Sequence, residues 1–258
     1  MNFAYRCGAL AVLTSALGLS SFAQKQADCS KLPDHGKLKA ALTAAVKEGA
    51  GANSGLGNQE WAAIVNRDGL VCAIVFSGPN REAEWLGSRV IAAEKASTSN
   101  AFSTSNFSLS TGNLYSGAQP GGSLYGIVSP PNAAVAETGD PELFGQPNDP
   151  MVGKAPGGVI VFGGGLALYS TKGELVGGLG VSGDTACADH VIAWKVRREL
   201  KLDSVPMGVA PGPSDNLVLD IQNGVSPSGY GHPPCKGGQP ADDIIKNLNQ
   251  KLPVGPRR

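Results

Sequence analysis

The chain has 258 residues, with 21 Lys and Arg against 21 Asp and Glu, and it contains 36 glycines and 18 prolines. The balanced charge argues against sequence-independent nucleic-acid binding, which depends on Lys and Arg neutralising phosphates, and the hydrophobic share of 41% argues against wholesale disorder. The glycines follow no G-X-Y period, which excludes collagen and leaves a compact, turn-rich globular protein.

The first residues have the pattern of a signal peptide. Arg6 precedes an uncharged, mostly apolar run over residues 7–22, and Ser21-Phe22-Ala23 places small residues where a signal peptidase reads them. The run is too short, and too often interrupted by Gly, Ser and Thr, for a stable membrane span. We therefore expect a signal peptide over residues 1–23, a periplasmic or secreted protein, and no membrane span in the mature chain.

Four cysteines lie beyond this segment, and an even number in an exported chain predicts disulfides. Of the three possible pairings we favour Cys29–Cys72 and Cys187–Cys235, because each ties a terminal segment to the core. Buried thiols are the alternative. The chain has no CxxC motif, so neither a zinc ribbon nor a thioredoxin-like site is supported.

The next segments predict a helix, a hairpin and a second helix. Apolar residues at three- and four-residue spacing predict a helix over Lys37–Glu48. Two apolar runs, 61–67 and 70–76, flank Asp68-Gly69, a pair that tolerates the positive φ angles of a two-residue turn, so they predict a β-hairpin. A long helix is then expected from about Glu82 or Trp85 to Ala101.

Residues 103–157 form a long segment rich in Gly, Pro, Ser and Asn. It is too long for an ordinary connection, and loops of this length are usually functional or disordered. Its aromatic and aliphatic residues argue against complete disorder. We predict a short helix near Thr111–Ser116 and loops elsewhere.

The second half of the chain predicts an antiparallel meander and a last helix. Three short apolar runs, at 158–162, 166–169 and 175–181, are separated by Gly-rich turns and read as strands. The helix is expected from about Thr185 to Leu200. With the hairpin, this order predicts an α+β fold, in which a five-stranded antiparallel sheet carries packed helices in a single domain.

Two terminal segments flank that domain. Residues 24–36 are expected to be a flexible lead-in, and residues 203–258 a tail packed on the domain. Within the tail, residues 217–221 are a plausible edge strand and residues 243–248 a short helix.

The glycine-rich run Gly178–Gly183 allows two chemical interpretations that we do not favour. It matches G-x-G-x-x-G, but its glycines alternate within a predicted strand instead of opening a helix in a βαβ unit, so a dinucleotide site is unsupported. Ser182 could act as a nucleophile with His190 as its base, but the G-x-S-x-G motif lacks its last glycine. Nothing in the sequence places His190 beside Ser182.

Four segments together match a known pattern: Gly157-Gly158-Val159, the run Lys172–Gly183 with its GVSG sequence, Asp189 in the last helix, and Ala92–Ala96 with its Lys-Ala pair. In this order they resemble the GlcG/HbpS-like family, over about residues 37–202. The resemblance implies a profilin- or PAS-like sandwich. Several members of this family bind haem, some sense it outside the cell, and members tend to form homo-oligomers.

The chain departs from the short family pattern in three places. It is expected to be exported, it carries the insertion 103–157, and it ends in a tail that includes Ser228–Cys235. Such loops and tails can cover or remodel a pocket, so the ligand is left open between haem, a related tetrapyrrole and another small molecule.

A haem site needs an apolar slot, an axial donor and polar groups near the propionates. We predict His190 as the axial iron ligand, because it follows Asp189 close to the GVSG turn, and His232 as the second choice. A Cys187–Cys235 bond would bring the two histidines into one neighbourhood. His190 bonding only to the tail is the alternative, and oxygen donors remain open at Tyr115, Tyr125 and Tyr230.

Other polar residues complete the expected binding set. The resemblance implies that Lys95 meets a carboxylate or propionate, with a solvated lysine as the alternative, and it adds Ser182 and Asp189. We expect Asp184 to cap the last helix. Asp189 and His190 have no third ligand at a recognisable spacing, so a zinc site is not favoured.

The sequence therefore favours an exported protein that binds haem or a related small ligand and forms a homo-oligomer. Whether it is also an enzyme is left open. One alternative is an enzyme of small organic-acid metabolism that uses Lys95, Ser182 and Asp189. Another is a structural or partner-binding protein that uses residues 103–157 as its interaction surface.

Overall fold

The computed structural model describes residues 28–235 and 239–255, so the predicted signal peptide lies outside the described residues. The helices are α1 (His35–Lys47), α2 (Ala50–Asn53), α3 (Ser88–Ala101), α4 (Tyr115–Ala118), α5 (Ala133–Ala136), α6 (Ala186–Glu199), α7 (Gln239–Lys246) and α8 (Leu248–Lys251). The strands are β1 (Trp61–Asn66), β2 (Val71–Phe76), β3 (Gly165–Tyr169) and β4 (Leu175–Ser182). Within the described ranges, no helix is both long and apolar enough to cross a membrane.

The strands form one antiparallel sheet in the order β2-β1-β4-β3. The predicted hairpin is confirmed, with Trp61 opposite Phe76. The other side of β1 pairs with β4, so that Trp61 also lies opposite Ser182. The two central strands are therefore the first and the last of the sheet in chain order.

The predicted α+β class is confirmed, but the fifth strand is wrong. Residues 158–162 form no named strand, and Val159 makes an isolated bridge to Ser129. The next backbone donor is satisfied by a side chain, since the N–H of Ile160 donates to Thr98 Oγ1 at 3.2 Å. Ile160 and Val161 of this apolar run are buried without joining the ladder, and burial alone does not distinguish them from strand residues.

Helices cover both faces of the sheet. The side chains of α1 and α6 pack on one face with Ile64, Leu166 and Leu179. On the other face α3 lies directly on β4, because Gly178 and Gly180 have no side chain to hold it away. A Cβ on Gly180 would lie 1.9 Å from the Ala92 carbonyl oxygen, which explains part of the glycine excess.

The insertion covers the outer side of α3. The buried guanidinium of Arg89 on α3 forms an ion pair with Asp149 and donates to the Ala136 carbonyl at 3.0 Å. The Phe144 ring lies 3.8 Å from the same guanidinium carbon. Apart from α4, α5 and two 3-10 turns, at Thr111–Leu114 and Pro141–Leu143, the insertion is irregular, close to the prediction.

Both terminal segments are tied to the domain. Disulfides join Cys29 to Cys72 and Cys187 to Cys235, which are the pairings predicted from the sequence. The lead-in is held by the first bond, and its Leu32 packs against the core.

The tail packs without the edge strand predicted at 217–221. In this segment, Val218 makes one isolated bridge, to Gly231, which itself lies in the tail. The segment therefore does not extend the sheet. The short helix predicted near the end is present, somewhat longer, as α7 and α8. Trp194 of α6 donates to the Leu252 carbonyl at 2.9 Å, which fixes this end of the chain.

Candidate functional site

A buried ion pair lies where β4 meets α6. Lys95 of α3 donates to Asp189 of α6 at 2.6 Å and to the Val181 carbonyl at 3.0 Å. Asp189 also accepts the Asp184 N–H at 3.0 Å, and both charged side chains are buried. Lys95 is therefore neither a solvated lysine nor open to a ligand carboxylate in this structure.

Glu60, just before β1, completes this cluster and was not found from the sequence. It is fully buried, and no donor among the described residues reaches either of its oxygens. Burial, and next the negative charge of Asp189, raise the pKa of Glu60 well above its usual value. A protonated Glu60 can donate to the Asp189 carboxylate, which makes the cluster of one lysine and two carboxyl groups neutral as a whole.

The segment 162–165 closes over the ion pair. The Phe162 ring lies 4.9 Å from Lys95 Nζ, and Thr111 Oγ1 holds the segment by donating to the Phe162 carbonyl. Gly164 has φ +115°, and a Cβ there would lie 2.8 Å from Lys95 Nζ. Only glycine fits this conformation and this space.

The two predicted histidines meet at Gly163. His232 Nε2 accepts the Gly163 N–H at 3.3 Å, and its Nδ1 is 2.9 Å from the Pro233 carbonyl. Because an N–H can only donate, Nε2 is the acceptor, and the proton is assigned to Nδ1. On the other side of Gly163, a Cβ would lie 3.2 Å from the Cβ of His190. The predicted neighbourhood of the two histidines is confirmed.

Both imidazoles are neutral near pH 7. Burial lowers the pKa of His232 to about 4 and that of His190 to about 3. Within the described part of the chain, neither ring nitrogen of His190 makes a hydrogen bond of good distance and angle, although the Asn216 side chain lies close enough to raise the His190 pKa against the larger effect of burial. A neutral imidazole is chemically a metal donor, but His190 is fully buried.

A groove of about 770 Å³ opens next to His232. We call it the Tyr115 groove; it lies between residues 115–123 of the insertion and residues 221–234 of the tail. The Tyr115 ring lines it and lies 5.8 Å from the His232 ring, centroid to centroid. Tyr125 and Tyr230 are outside this lining, with 68% and 38% of their surface exposed.

The remaining predicted residues have structural surroundings. Ser182 is buried at the end of β4, between Val181, which accepts from Lys95, and Gly183, which contacts Glu60. The capping role predicted for Asp184 is wrong. Its carboxylate accepts the N–H groups of residues 56–58, and the helix is capped by Thr185, which accepts from the Ala188 N–H at 3.3 Å.

These features define an α+β sandwich, in which a closed polar cluster and two neutral histidines lie beside an open groove. The chain belongs to the family described as haem degrading protein HbpS-like, whose model matches residues 37–197. The resemblance inferred from the GVSG and Lys-Ala segments is thus confirmed.

Two solved structures are similar to parts of the chain. The crystal structure of the PduOC:heme complex is 25% identical, covers 66% of this chain and 96% of its own, and has a TM-score of 0.45. The crystal structure of Klebsiella pneumoniae protein ORFY is 23% identical, covers 63% of this chain and 87% of its own, and has a TM-score of 0.42. No curated protein matches the sequence.

Proposed function

We propose that this protein binds haem or a related tetrapyrrole, and that the Tyr115 groove is the site. Membership of the HbpS-like family supports the ligand. The observation that carries the proposal is the phenol of Tyr115 in the lining of a groove of about 770 Å³, with the neutral imidazole of the buried His232 5.8 Å from the Tyr115 ring, centroid to centroid. Tyrosine and histidine both serve as haem ligands, and the volume is in the range of cofactor sites.

The side chains at the groove include the kinds of group that ligate haem iron. Tyr115 lines the groove, and His232 lies directly behind it, attached to the lining residue Pro233. We therefore rank Tyr115 first as the iron donor. His232 ranks second, because its Nε2 must first release the Gly163 N–H, and the fully buried His190 ranks last. Bound haem would supply an iron centre for redox or ligand-binding chemistry, while the protein's residues supply the donor and the slot.

The propionates would face solvent at the open side of the groove. Lys95, which the resemblance had suggested for a propionate, is engaged by Asp189 and Val181. We propose that it instead holds the segment 162–165 in place under the two histidines.

A haem titration followed by absorbance tests the site. Saturable binding with a Soret band is expected, and Tyr115→Phe should shift the band and weaken binding by about tenfold, which corresponds to about 1.4 kcal/mol. Tyr125→Phe is the matched control, because it removes the same hydroxyl from an exposed ring outside the lining. Weak, unsaturable binding to the wild type would contradict haem as the ligand, and equal spectra and affinities for all three chains would contradict the groove.

Export and self-association belong to the same proposal. The two disulfides are compatible with an exported protein. Mass spectrometry of the N-terminus after expression in a secreting host tests the cleavage after Ala23, and light scattering on a sizing column tests the homo-oligomer.

A further inference from the structure

A second groove, of about 650 Å³, lies between the lead-in, α1 and the end of α6. We call it the Lys201 groove; residues 30–33 and 199–202 form two of its walls, and α1 forms the third. It shares no lining residue with the Tyr115 groove. Residues 30–33 and 199–202 lie outside residues 37–197, the part that matches the family. The groove is therefore a feature of this chain that family membership does not explain.

The floor of the Lys201 groove is apolar. Leu32 and Leu200 are partly buried against the core, and Leu202 belongs to the core. Three small residues of α1 complete this apolar surface: Ala40, Ala41 and Ala44. Their short side chains leave open the space that longer ones would fill. Because removing apolar surface from water is favourable, this floor suits an alkyl chain.

Lysines surround the apolar floor. Lys31, Lys37 and Lys201 are exposed and line the groove, and Glu199 is the one acidic residue of its lining. The lining thus carries three positive charges against one negative charge. Its electrostatic character favours a ligand with an anionic group.

The three lysines differ in how strongly they are already engaged. Lys31 lies 3.4 Å from Glu174 and Lys37 lies 3.7 Å from Asp34, and all four side chains are mostly exposed. Exposed pairs of this kind are weak, so a carboxylate that enters the groove can replace them. Among the ion pairs of the described residues, none involves Lys201.

Lys201 also occupies a backbone position that glycine usually fills. It follows α6 with φ +57°, and its N–H donates to the Arg198 carbonyl at 3.0 Å. The next N–H, of Leu202, donates to the Arg197 carbonyl at 3.1 Å. This is the Schellman cap, whose left-handed residue is commonly glycine because a Cβ strains that conformation. Glycine would serve the fold better here, so the lysine side chain is retained at a cost in stability.

We propose that the Lys201 groove binds a fatty acid, with the carboxylate at Lys201 and the alkyl chain along the leucine and alanine floor. The lysine-rich rim and the apolar floor match the two parts of such a molecule. The lining contains no histidine, tyrosine, cysteine or methionine, so it offers none of the common haem-iron ligands. The proposal therefore stands apart from haem binding in the Tyr115 groove.

Isothermal titration calorimetry with sodium dodecanoate, below the concentration at which it forms micelles, tests the proposal. Saturable binding is expected, and octanoate should bind more weakly, by up to about fourfold for each methylene that is lost. Dodecyltrimethylammonium, which has the same chain and the opposite charge, should bind about tenfold more weakly than dodecanoate. No saturable binding of dodecanoate, or equal affinity for the two charges, would overturn the proposal.

Substitutions of Lys201 test the position of the carboxylate. Lys201→Gln should weaken dodecanoate binding about fivefold, whereas Lys172→Gln, which removes an exposed charge outside the groove, should leave it unchanged. Lys201→Gly should bind as weakly as Lys201→Gln while its melting temperature rises by about 2 °C, because the strain at this position is relieved. Weaker binding in a more stable protein cannot result from misfolding. Wild-type affinity in Lys201→Gln and Lys201→Gly would overturn the proposal.

Filling the groove tests where the alkyl chain lies. Ala44→Leu puts a larger side chain into the groove and should weaken dodecanoate binding about tenfold. Thr43→Leu, at an exposed position of α1 outside the lining, is the matched control, and leucine is a strong helix former in both variants. Equal affinities of these two variants would contradict the site.

Tyr115→Phe separates the two grooves. It should leave dodecanoate binding unchanged, because Tyr115 is outside the Lys201 groove. Dodecanoate binding that is weakened by Tyr115→Phe and not by Ala44→Leu would place the fatty acid in the Tyr115 groove and overturn this proposal. Dodecanoate binding in a chain that binds no haem would support this proposal and contradict only the proposed function.

Discussion

At the scale of single residues, the cluster around Lys95 sets the stability of the junction between β4 and α6. Its ammonium lies between Asp189 and the Val181 carbonyl and is fully buried, so water cannot replace a lost partner. Removing one member of such a pair leaves an uncompensated charge, whereas removing both leaves none. The two kinds of substitution therefore have different consequences.

Lys95→Met should lower the free energy of unfolding by about 3–5 kcal/mol, because it removes the counter-ion of the buried Asp189 carboxylate. Lys95→Met/Asp189→Leu should recover part of that loss. Urea unfolding at pH 7 measures both, with the exposed Lys172→Met as the control, which should change stability by less than about 0.5 kcal/mol. A single variant as stable as the control would refute the ion pair.

The buried histidines predict acid sensitivity. An unfolded histidine takes up a proton near pH 6.5, while burial lowers the pKa of His232 to about 4 in the folded protein. The stability that His232 contributes at pH 7 is therefore lost as the pH falls from about 6.5 towards 4, by an amount on the order of 3 kcal/mol.

His232→Gln should reduce the slope of this dependence without removing it, because burial also lowers the pKa of His190, to about 3. Guanidinium unfolding at pH 7 and pH 5 measures the change. Glu94 acts in the opposite direction, since burial raises its pKa to about 7 and the stability it contributes is lost as the pH rises from about 4.5 to 7. The comparison is thus between variant and wild type at each pH, and parallel pH curves would contradict the shifted pKa of His232.

Sequence alone could locate part of this site. The Lys-Ala pair and the Asp in the last helix placed Lys95 and Asp189 in one family pattern, and the disulfide pairing brought His190 and His232 together. Glu60 carries no local signal, because a single glutamate before a strand is ordinarily exposed. The burial of His190 was equally hidden, since periodicity placed it on the last helix without showing which residues would pack around its ring.

At the scale of elements, the contact of α3 with β4 is made by backbone atoms. The carbonyls of Ala92 and Ala96 lie where side chains of Gly180 and Gly178 would be. A helix so close to a strand cannot accept even one methyl group without moving, because protein interiors are packed to crystal density.

Gly180→Ala should therefore lower the free energy of unfolding by about 3 kcal/mol, since overpacking displaces the helix. Gly51→Ala, in the short helix α2 with no atom within 4 Å of its added Cβ, is the matched control and should be neutral or slightly stabilising. Thermal unfolding compares the two. Equal melting temperatures would show that α3 is not in contact with β4.

The elements were predictable to the extent that they depend on local patterns. The hairpin at Asp68-Gly69 and the helices α1 and α6 follow from turn residues and periodicity, and each was found within a few residues of its observed bounds. The runs at 158–162 and 217–221 have strand-like composition but find no strand to pair with. Composition does not reveal whether a neighbouring strand is available.

At the scale of the whole molecule, the two disulfides act at opposite ends of the chain. Cys29–Cys72 holds the lead-in against β2, and Cys187–Cys235 holds the tail against α6. The central part of the chain, including the insertion, is held by noncovalent contacts such as Arg89 with Asp149.

Cys29→Ser/Cys72→Ser should lower the free energy of unfolding by about 2–4 kcal/mol, because the bond limits the conformations of the unfolded chain. Guanidinium unfolding measures the loss, and the haem titration should be unchanged, since the bond is remote in sequence from the Tyr115 groove. Loss of haem binding in a variant that is still folded would contradict this separation.

The pairing of β1 with β4 also bears on how the chain folds. The β1–β2 hairpin forms from neighbouring residues, but an isolated two-stranded hairpin is marginal in water. The other edge of β1 pairs with β4. In the chain, β4 follows this hairpin only after α3 and the entire insertion. Folding should thus be slow for the size of the protein, and the uncovered edge of β1 is the place where two immature chains would pair with each other.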